Sequence, residues 1–180
     1  MADELIDVFD ENNNSLGIKL MKSEAHKKGL WHRAAHVWIY NSKGEVLLQL
    51  RAKDKEFFPD RWDISVAGHV SAGESPAVSP VREIKEEIGL EISEKELEFM
   101  RVMKYSIDVG VLKNREFIYV LTLKYEGDLE ELKRQEEEIQ ELRFFHADFV
   151  KKDVLKNPDK YTPGEEYWLE MMEWVEKHHI

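Results

Sequence analysis

One stretch of the chain, residues 68–90, constrains the possible folds and functions of this sequence more than any other. It reads GHVSAGESPAVSPVREIKEEIGL. Ser75 and Pro76 suit the N-cap and first turn of a helix, and Gly89 suits its end. The apolar residues recur at helical spacing, at Ala77, Val81, Ile84 and Ile88. The stretch predicts an amphipathic helix that begins near Ser75, or later if Pro80 interrupts its first part.

Three glutamates share one face of this predicted helix. They are Glu83, Glu86 and Glu87, spaced i, i+3 and i+4. Carboxylates this close repel one another unless a cation lies among them, and an all-oxygen ligand set favours a hard ion such as Mg²⁺ or Mn²⁺. Arg82 lies four residues before Glu86 and can orient its carboxylate. On charge alone, a solvated acidic helix face is the simpler interpretation.

The fixed spacing of the stretch favours the metal-binding interpretation. Gly68 is followed after five residues by Glu74, and after seven more by Arg82-Glu83-Ile84-x-Glu86-Glu87-x-Gly89-Leu90. This pattern resembles the signature of the Nudix hydrolases at every fixed position. The resemblance implies hydrolysis of a diphosphate linked to another moiety. It also implies Mg²⁺ or Mn²⁺ held by the three glutamates and the Gly68 carbonyl, with Arg82 fixing the carboxylates and Glu74 bracing the loop.

Composition bounds the class of protein. The chain has 180 residues, of which 42% are hydrophobic and 35% charged, so we expect one soluble domain over residues 1–180. A net charge of −11 argues against a nucleic-acid polymer as partner. The absence of cysteine excludes disulfides and thiolate catalysis, and fits a reducing cytoplasm. No apolar run has transmembrane length and the acidic start lacks signal-peptide features, so we expect a cytoplasmic protein without a membrane partner.

Residue patterns predict the remaining elements. Strands are expected at 5–9, 16–20, 34–40, 45–51, 62–66, 97–108, 116–125 and 142–145. Polar loops are expected at 22–33 and 127–140, the second with some helical tendency, and further helices at 149–156 and 164–178. The apolar and aromatic residues of the last helix are expected to pack on the sheet, with an aromatic substrate platform as the alternative. They are Tyr167, Trp168, Met171, Met172, Trp174 and Val175. Together with the Nudix resemblance, these elements predict an α/β fold of the α+β kind, an α/β/α sandwich around a mixed sheet.

A second group of residues carries a further resemblance. The run AHKKGLWHRAAHVWIYNSKGEVLLQLRAKDKEFFPDRWDISVAGH resembles the type I isopentenyl-diphosphate isomerases, which are Nudix-fold relatives. This resemblance implies a divalent metal at His26, His32, His69 and Glu116. It also implies diphosphate contacts from Lys22, Arg51 and Lys55. Each histidine taken singly is a surface or hydrogen-bonding residue by default, and the group could accept Zn²⁺ or Mn²⁺ or only polarise phosphate.

Two departures from the isomerase pattern bear on the reaction. The isomerases carry a catalytic cysteine at the position of Ala67 and a catalytic glutamate at the position of Asn114. Moving a proton at an allylic carbon needs an acid and a base, and neither alanine nor asparagine supplies one. The glutamates of the hydrolase motif are all present. The sequence therefore predicts a hydrolase rather than an isomerase.

Several points stay open from the sequence. The substrate could be a nucleoside di- or triphosphate or a related nucleotide, or isopentenyl or dimethylallyl diphosphate. A Nudix module that binds a ligand without turnover is the alternative from another class. The chain could be a monomer or a homodimer. Candidate general bases are Glu86, Glu87, Glu116, Glu137 and Glu138. Candidate aromatic contacts for the organic moiety, which could equally be core, are Trp31, Trp38, Trp62, Phe57 and Trp168.

Overall fold

A computed structural model describes residues 3–180 of the chain. In chain order, its strands and helices are β1 (Leu5–Phe9), β2 (Ser15–Met21), α1 (Lys22–Lys28), β3 (His32–Tyr40), β4 (Glu45–Arg51), β5 (Trp62–Asp63), β6 (Val66–His69), α2 (Ser79–Ile88), β7 (Leu97–Val109), β8 (Leu112–Lys124), β9 (Ile139–His146), α3 (Ala147–Lys156) and α4 (Glu165–His178). Short 3-10 helices lie at Glu94–Glu96, Leu129–Glu131 and Pro158–Lys160.

Seven of these strands form one mixed sheet, and β1 and β2 form a separate hairpin. The order across the sheet is β5-β4-β3-β8-β7, with β6 paired to β3 and β9 paired to β4. The β3–β8 pair is parallel and the other pairs are antiparallel. The register places His32 opposite Glu116, and Ala34 opposite His69. Residues from three strands are thereby brought to one place on the sheet.

Helices cover both faces of the sheet. On one face Ile84 and Ile88 of α2 are fully buried against a cluster that includes Val37 and Leu121. On the other face, buried residues of α3 and α4 pack around Trp38. Alternate residues of a strand point to opposite faces, so each central strand contributes to both cores. The predicted α/β/α arrangement around a mixed sheet is confirmed.

The predicted loop at 22–33 is wrong, because α1 occupies most of it. Ala25 and His26 are buried on α1. Glu24 pairs with Lys28 at 2.5 Å, one turn later. Gly29 ends the helix in the left-handed region, with φ of 67°. Glu24 in the first turn, Lys28 in the last turn and Gly29 at the end are sequence signals of a helix in this polar segment.

The motif helix begins at Ser79, later than the N-cap predicted at Ser75. Residues 76–78 form a turn, and the Ser75 side chain accepts a hydrogen bond from the Val78 amide at 3.3 Å. Pro80 lies in the first turn of α2, where its missing N–H costs nothing. The helix therefore begins late, beside Pro80, which is the second of the two starts that the sequence allowed. Gly89 ends the helix as predicted, with φ of 69°.

Two strand predictions also need correction. The single strand expected at 62–66 is divided into β5 and β6, which pair with different neighbours, β4 and β3. The strand expected at 142–145 is longer, because β9 pairs with nearly the whole of β4, from Glu45↔His146 to Arg51↔Ile139. Pairing with a long partner extends a strand beyond its apolar centre.

The last helix supplies packing, as predicted. Trp168, Met171, Met172 and Val175 are at most 1% exposed. Trp168 packs edge-to-face on Trp38, with ring centroids 5.1 Å apart, and its Nε1 donates a hydrogen bond to the Thr162 carbonyl at 2.9 Å. None of the helices in residues 3–180 is long and apolar enough to span a membrane.

The packing of Trp168 leads to a stability prediction. The Trp168→Ala change should lower the free energy of unfolding by about 3–5 kcal/mol, because it empties a fully buried site. The matched change Leu155→Ala, at a residue that is 55% exposed on α3, should cost about 1 kcal/mol or less. Urea denaturation of both variants measures the difference. Equal stability of Trp168→Ala and the wild type would contradict a packing role.

Candidate active site

Two of the three motif glutamates are buried where α2 meets β6. Glu83 and Glu87 are 8% and 7% exposed. The side chain of Glu86 is 54% exposed. All three line a cavity of about 960 Å³. Gly68 lies against Glu83, and a Cβ on Gly68 would overlap the Glu83 carboxyl. Glycine at this position is therefore what allows the helix and the strand to approach so closely.

Arg82 links the motif residues to one another. Its Nε and Nη2 donate to the two carboxylate oxygens of Glu74, at 3.1 and 2.9 Å. Its Nη1 contacts Glu83 Oε1 at 2.8 Å and donates to Glu86 Oε2 at 3.0 Å. A further bond from Nη2 reaches the carbonyl of His69 at 3.1 Å. A planar guanidinium with several donors fixes these carboxylates relative to β6 in a way that a lysine could not.

The buried carboxylates of α2 have unusual proton affinities. Burial raises the pKa of Glu83 to about 7, although the Arg82 guanidinium partly opposes the rise. Burial and the charge of Glu83 raise the pKa of Glu87 well above its usual range, against the opposing effects of Lys55 and Gln49. A hard divalent cation bound here would reduce the repulsion between the carboxylates and would take their oxygen atoms as ligands. This donor set fits Mg²⁺ or Mn²⁺.

Three histidines lie together beside the cavity: His26 and His69 line its wall, and His32 is fully buried next to them. The closest ring nitrogens of His26, His32 and His69 all lie within 4.8 Å of one another. In each ring Nδ1 has an oxygen partner: Glu56 Oε2 at 3.4 Å for His26, the Leu30 carbonyl at 2.9 Å for His32, and Glu4 Oε1 at 3.0 Å for His69. Each Nε2 is buried and makes no hydrogen bond within residues 3–180. This arrangement suits metal binding through Nε2.

Glu116 completes the histidine group. Its Oε1 lies 3.2 Å from Nε2 of His69 and 3.6 Å from Nε2 of His32. Burial alone would raise the pKa of Glu116, but contacts with His32 and His69 hold it well below the usual range. Burial alone would lower the pKa of His69, but Glu116 and Glu4 outweigh it and raise the pKa to about 9. Burial and the charges of the other two histidines lower the pKa of His26 to about 4.

The predicted diphosphate contacts all line the cavity, and each already has a carboxylate partner. Arg51 donates to Asp63 Oδ2 at 2.6 Å and also to the Phe57 carbonyl. Lys55 pairs with Glu138, and Lys22 pairs with Glu4 Oε1 at 3.1 Å. A diphosphate would therefore have to compete with these carboxylates for the three cations, or bind alongside them.

The candidate general bases differ in position. Glu138 immediately precedes β9 and lines the cavity, where its charge contributes to the raised pKa of Glu87. Glu137 is exposed and is not among the residues of the cavity wall. Glu86, Glu87 and Glu116 also line the wall.

The positions that depart from the isomerase pattern also face the cavity. Ala67 and Asn114 both belong to its wall. Oδ1 of Asn114 is buried without a hydrogen-bond partner among residues 3–180.

The aromatic candidates are divided between wall and core. Phe57 and Trp168 line the cavity, whereas Trp38 is fully buried beneath it. Trp31 packs on Phe117 and Trp62 packs on Phe145, with ring centroids 4.9 Å apart in each pair.

Sequence reasoning missed several residues of this site. Glu4 and Glu56 hold histidine Nδ1 atoms, and neither belongs to a recognisable motif. At the opposite part of the wall, Arg101 and Glu170 form an ion pair across β7 and α4. Only the tertiary arrangement brings these residues to the cavity, so no local sequence signal could have identified them.

Comparison with known proteins agrees with this geometry. A profile of the NUDIX domain matches residues 30–170. The chain belongs to the Nudix family. Nudix enzymes act on pyrophosphate bonds of small molecules and generally use divalent metal ions, so the predicted enzyme class is confirmed.

Individual relatives extend the comparison. Nudix hydrolase 3 of Arabidopsis thaliana is 33% identical over 168 residues, which are 91% of this chain and 22% of that protein. The chain thus spans less than a quarter of the length of that relative. An isopentenyl-diphosphate Delta-isomerase of Serratia proteamaculans is 29% identical over 161 residues, 89% of this chain and 86% of that one. A crystal structure of a Deinococcus radiodurans protein shares the fold, with a TM-score of 0.70 at 18% identity, covering 96% of this chain and 99% of that one.

The raised pKa of Glu83 leads to a pH prediction. Below pH 7 a cation must displace a proton from Glu83, whereas above pH 7 the carboxylate is already ionised. We expect the affinity for Mn²⁺ to rise about tenfold between roughly pH 6 and roughly pH 8 through Glu83 alone, with less proton release at the higher pH. Titration calorimetry in buffers of different ionisation enthalpy measures both quantities.

The Glu83→Gln variant is the control for this prediction. It lacks the titrating group, so its Mn²⁺ affinity should change less over the same pH range. An affinity that is constant or falls with pH in the wild type would contradict the assignment of Glu83 as a ligand.

Proposed function

We propose that this protein hydrolyses a diphosphate bond in a small molecule, using Mg²⁺ or Mn²⁺. One observation carries the proposal: the three carboxylates of α2, two of them bridged by Arg82, face the same cavity as three cationic side chains. Such a cavity offers ligands for a hard cation beside positive charge for phosphate oxygens. Its volume of about 960 Å³ accommodates a substrate much larger than the diphosphate itself.

The residues of the site have separate roles in this proposal. Glu83, Glu86 and Glu87, with the Gly68 carbonyl, would hold the cation. A bound divalent cation would neutralise diphosphate charge and make water a better nucleophile. Arg82 and Glu74 act by fixing the geometry of the carboxylates. Arg51, Lys55 and Lys22 bind phosphate oxygens, so catalysis rests mainly on positioning and electrostatics.

Among the candidate bases we favour Glu138. Glu138 lies beside Lys55 at the cavity wall, close enough to Glu87 to affect its pKa. When the diphosphate binds, it competes for the Lys55 ammonium and releases the Glu138 carboxylate. Glu138 then accepts a proton from water as the water oxygen attacks phosphorus and the bridging P–O bond breaks.

The histidine group is proposed as a second cation site. In His26, His32 and His69 Nε2 is buried without a hydrogen bond, one ring nitrogen of each lies within 4.8 Å of the others, and Glu116 supplies an oxygen beside them. Nitrogen ligands together with one carboxylate suit Zn²⁺ or Mn²⁺ better than Mg²⁺. These residues would hold that cation near the phosphate groups.

The same cavity argues against two alternatives. An isomerase would need an acid and a base at Ala67 and Asn114, which supply neither. A module that only binds its ligand has no need for three motif glutamates at one cavity, two of them held by Arg82.

Two classes of substrate remain in competition. A nucleoside di- or triphosphate, or a related nucleotide, is the first candidate, because polar groups of Arg101, Glu170 and Asn114 line the wall. Isopentenyl or dimethylallyl diphosphate is the second, because the Serratia relative carries the isomerase name and Ile64, Met103 and Ile118 supply apolar surface. Further parts of the proposal are that residues 1–180 act as one domain, in the cytoplasm, as a monomer or homodimer, without nucleic-acid or membrane partners.

Phosphorus NMR tests the proposal. The protein is incubated with Mg²⁺ and, separately, with isopentenyl diphosphate and a nucleoside diphosphate, and orthophosphate is followed in each sample. We expect release from the nucleoside diphosphate. Release only from the isoprenoid would select the second substrate class, and dimethylallyl diphosphate formed without hydrolysis would contradict the assignments of Ala67 and Asn114.

Neighbouring glutamates provide a matched test of the proposed base. Glu138→Gln should lower kcat by about a hundredfold or more, since it removes the proton acceptor but keeps the side-chain size. Glu137→Gln removes the same charge one residue away, outside the cavity wall, and should retain near-full activity. If Glu138→Gln also retained full activity, the base would have to be sought among Glu86, Glu87 and Glu116.

A further inference from the structure

The N-terminal segment before residue 30 lies outside the matched family domain, yet it forms part of the cavity wall. Glu4, Lys22 and His26 all line the cavity. Backbone hydrogen bonds attach the segment beside β6: the Ala72 amide donates to the Leu5 carbonyl at 2.8 Å, and Ile6 forms a bridge with Ser71. The first residues of β1 are thereby fixed next to His69, the last residue of β6.

Glu4 has two cationic contacts at this point. Its Oε1 lies 3.0 Å from His69 Nδ1 and 3.1 Å from Lys22 Nζ. The Lys22 amide also donates to the Glu4 carbonyl at 2.8 Å, so Lys22 contacts both the backbone and the side chain of Glu4. Burial alone would raise the pKa of Glu4, but His69 and Lys22 outweigh it and lower the pKa to about 2.

We propose that Glu4 is a positioning residue for His69. Through its contact with Nδ1, Glu4 fixes the ring beside those of His26 and His32. A carboxylate behind a ligating imidazole orients the ring and increases its basicity toward a cation. This inference rests on the histidine cation site of the proposed function, and it makes the N-terminal hairpin a functional element of that site.

The Nδ1 atoms of the three histidines have different kinds of partner, at different distances. His32 is oriented by a backbone carbonyl, that of Leu30, at 2.9 Å. His26 is oriented by Glu56, whose side chain is 47% exposed and lies 3.4 Å away. The contact from Glu4 is shorter, and Glu4 itself is held by Lys22. Glu4 is therefore the side chain whose removal should most affect the orientation of a ring in this group.

Titration with Co²⁺ tests the inference without measuring hydrolysis. Co²⁺ bound by nitrogen ligands at low coordination number absorbs visible light far more strongly than octahedral Co²⁺ bound by oxygen ligands, so the histidine group is observed separately from the α2 carboxylates. We expect an intense visible spectrum for the wild type. The Co²⁺ affinity of the Glu4→Ala variant, measured from this absorption, should be about tenfold lower than that of the wild type.

Two further variants distinguish positioning from general effects. Glu4→Gln keeps an oxygen that can accept the Nδ1 hydrogen bond, so its Co²⁺ affinity should lie between those of the wild type and Glu4→Ala. Glu11→Ala removes the same charge from the exposed turn of the same hairpin and should bind Co²⁺ as the wild type does. Circular dichroism verifies folding of each variant, and if Glu4→Ala does not fold, Glu4→Gln alone provides the comparison.

Three results would overturn the inference. One is wild-type affinity for Co²⁺ in folded Glu4→Ala, or in Glu4→Gln if only that variant folds. Another is an equal loss of affinity in Glu4→Ala and Glu11→Ala, which would indicate a general charge effect. The third is the absence of intense absorption in the wild type, which would remove the histidine cation site. The proposed hydrolysis with Mg²⁺ is tested independently of these results, by phosphorus NMR.

Discussion

The burial of two carboxylates on one helix is the constraint on which the rest of this site depends. Glu83 and Glu87 are less than a tenth exposed, and an ionised carboxylate in such surroundings is costly unless charge compensates it. Arg82 compensates part of this charge, and the raised pKa values of both glutamates indicate that compensation is incomplete without a cation. A divalent cation bound at these carboxylates would supply the missing compensation.

Two groups of ligands of different chemistry meet across this cavity. The candidate oxygen ligands are carboxylates of α2, and the candidate nitrogen ligands are histidines of α1, β3 and β6, with Glu116 of β8 beside them. Hard cations prefer the first group, and borderline cations prefer the second. Ala67 and Asn114, which supply neither an acid nor a base, lie in the same cavity as the three glutamates of α2.

Local patterns in the sequence predicted much of the fold and part of the site. The spacing of Glu83, Glu86 and Glu87 identified their common face, because helical geometry is set by neighbours in the chain. Hairpins were predicted well for the same reason. The loop assigned over α1 was wrong although Glu24, Lys28 and Gly29 gave a helix signal, because the segment has few apolar residues and its helix is stabilised by burial of Ala25 and His26.

By itself, the sequence determined the family, the glutamate-rich motif helix and the residue types available to the site, since these depend on spacing within short segments. Only the tertiary structure decided which charges meet. The parallel register of β3 and β8 places His32 beside Glu116, and the hairpin places Glu4 behind His69. The loop before β9 brings Glu138 to the cavity and leaves Glu137 outside. Such contacts depend on strand register and chain closure over long sequence separations, which no local pattern encodes.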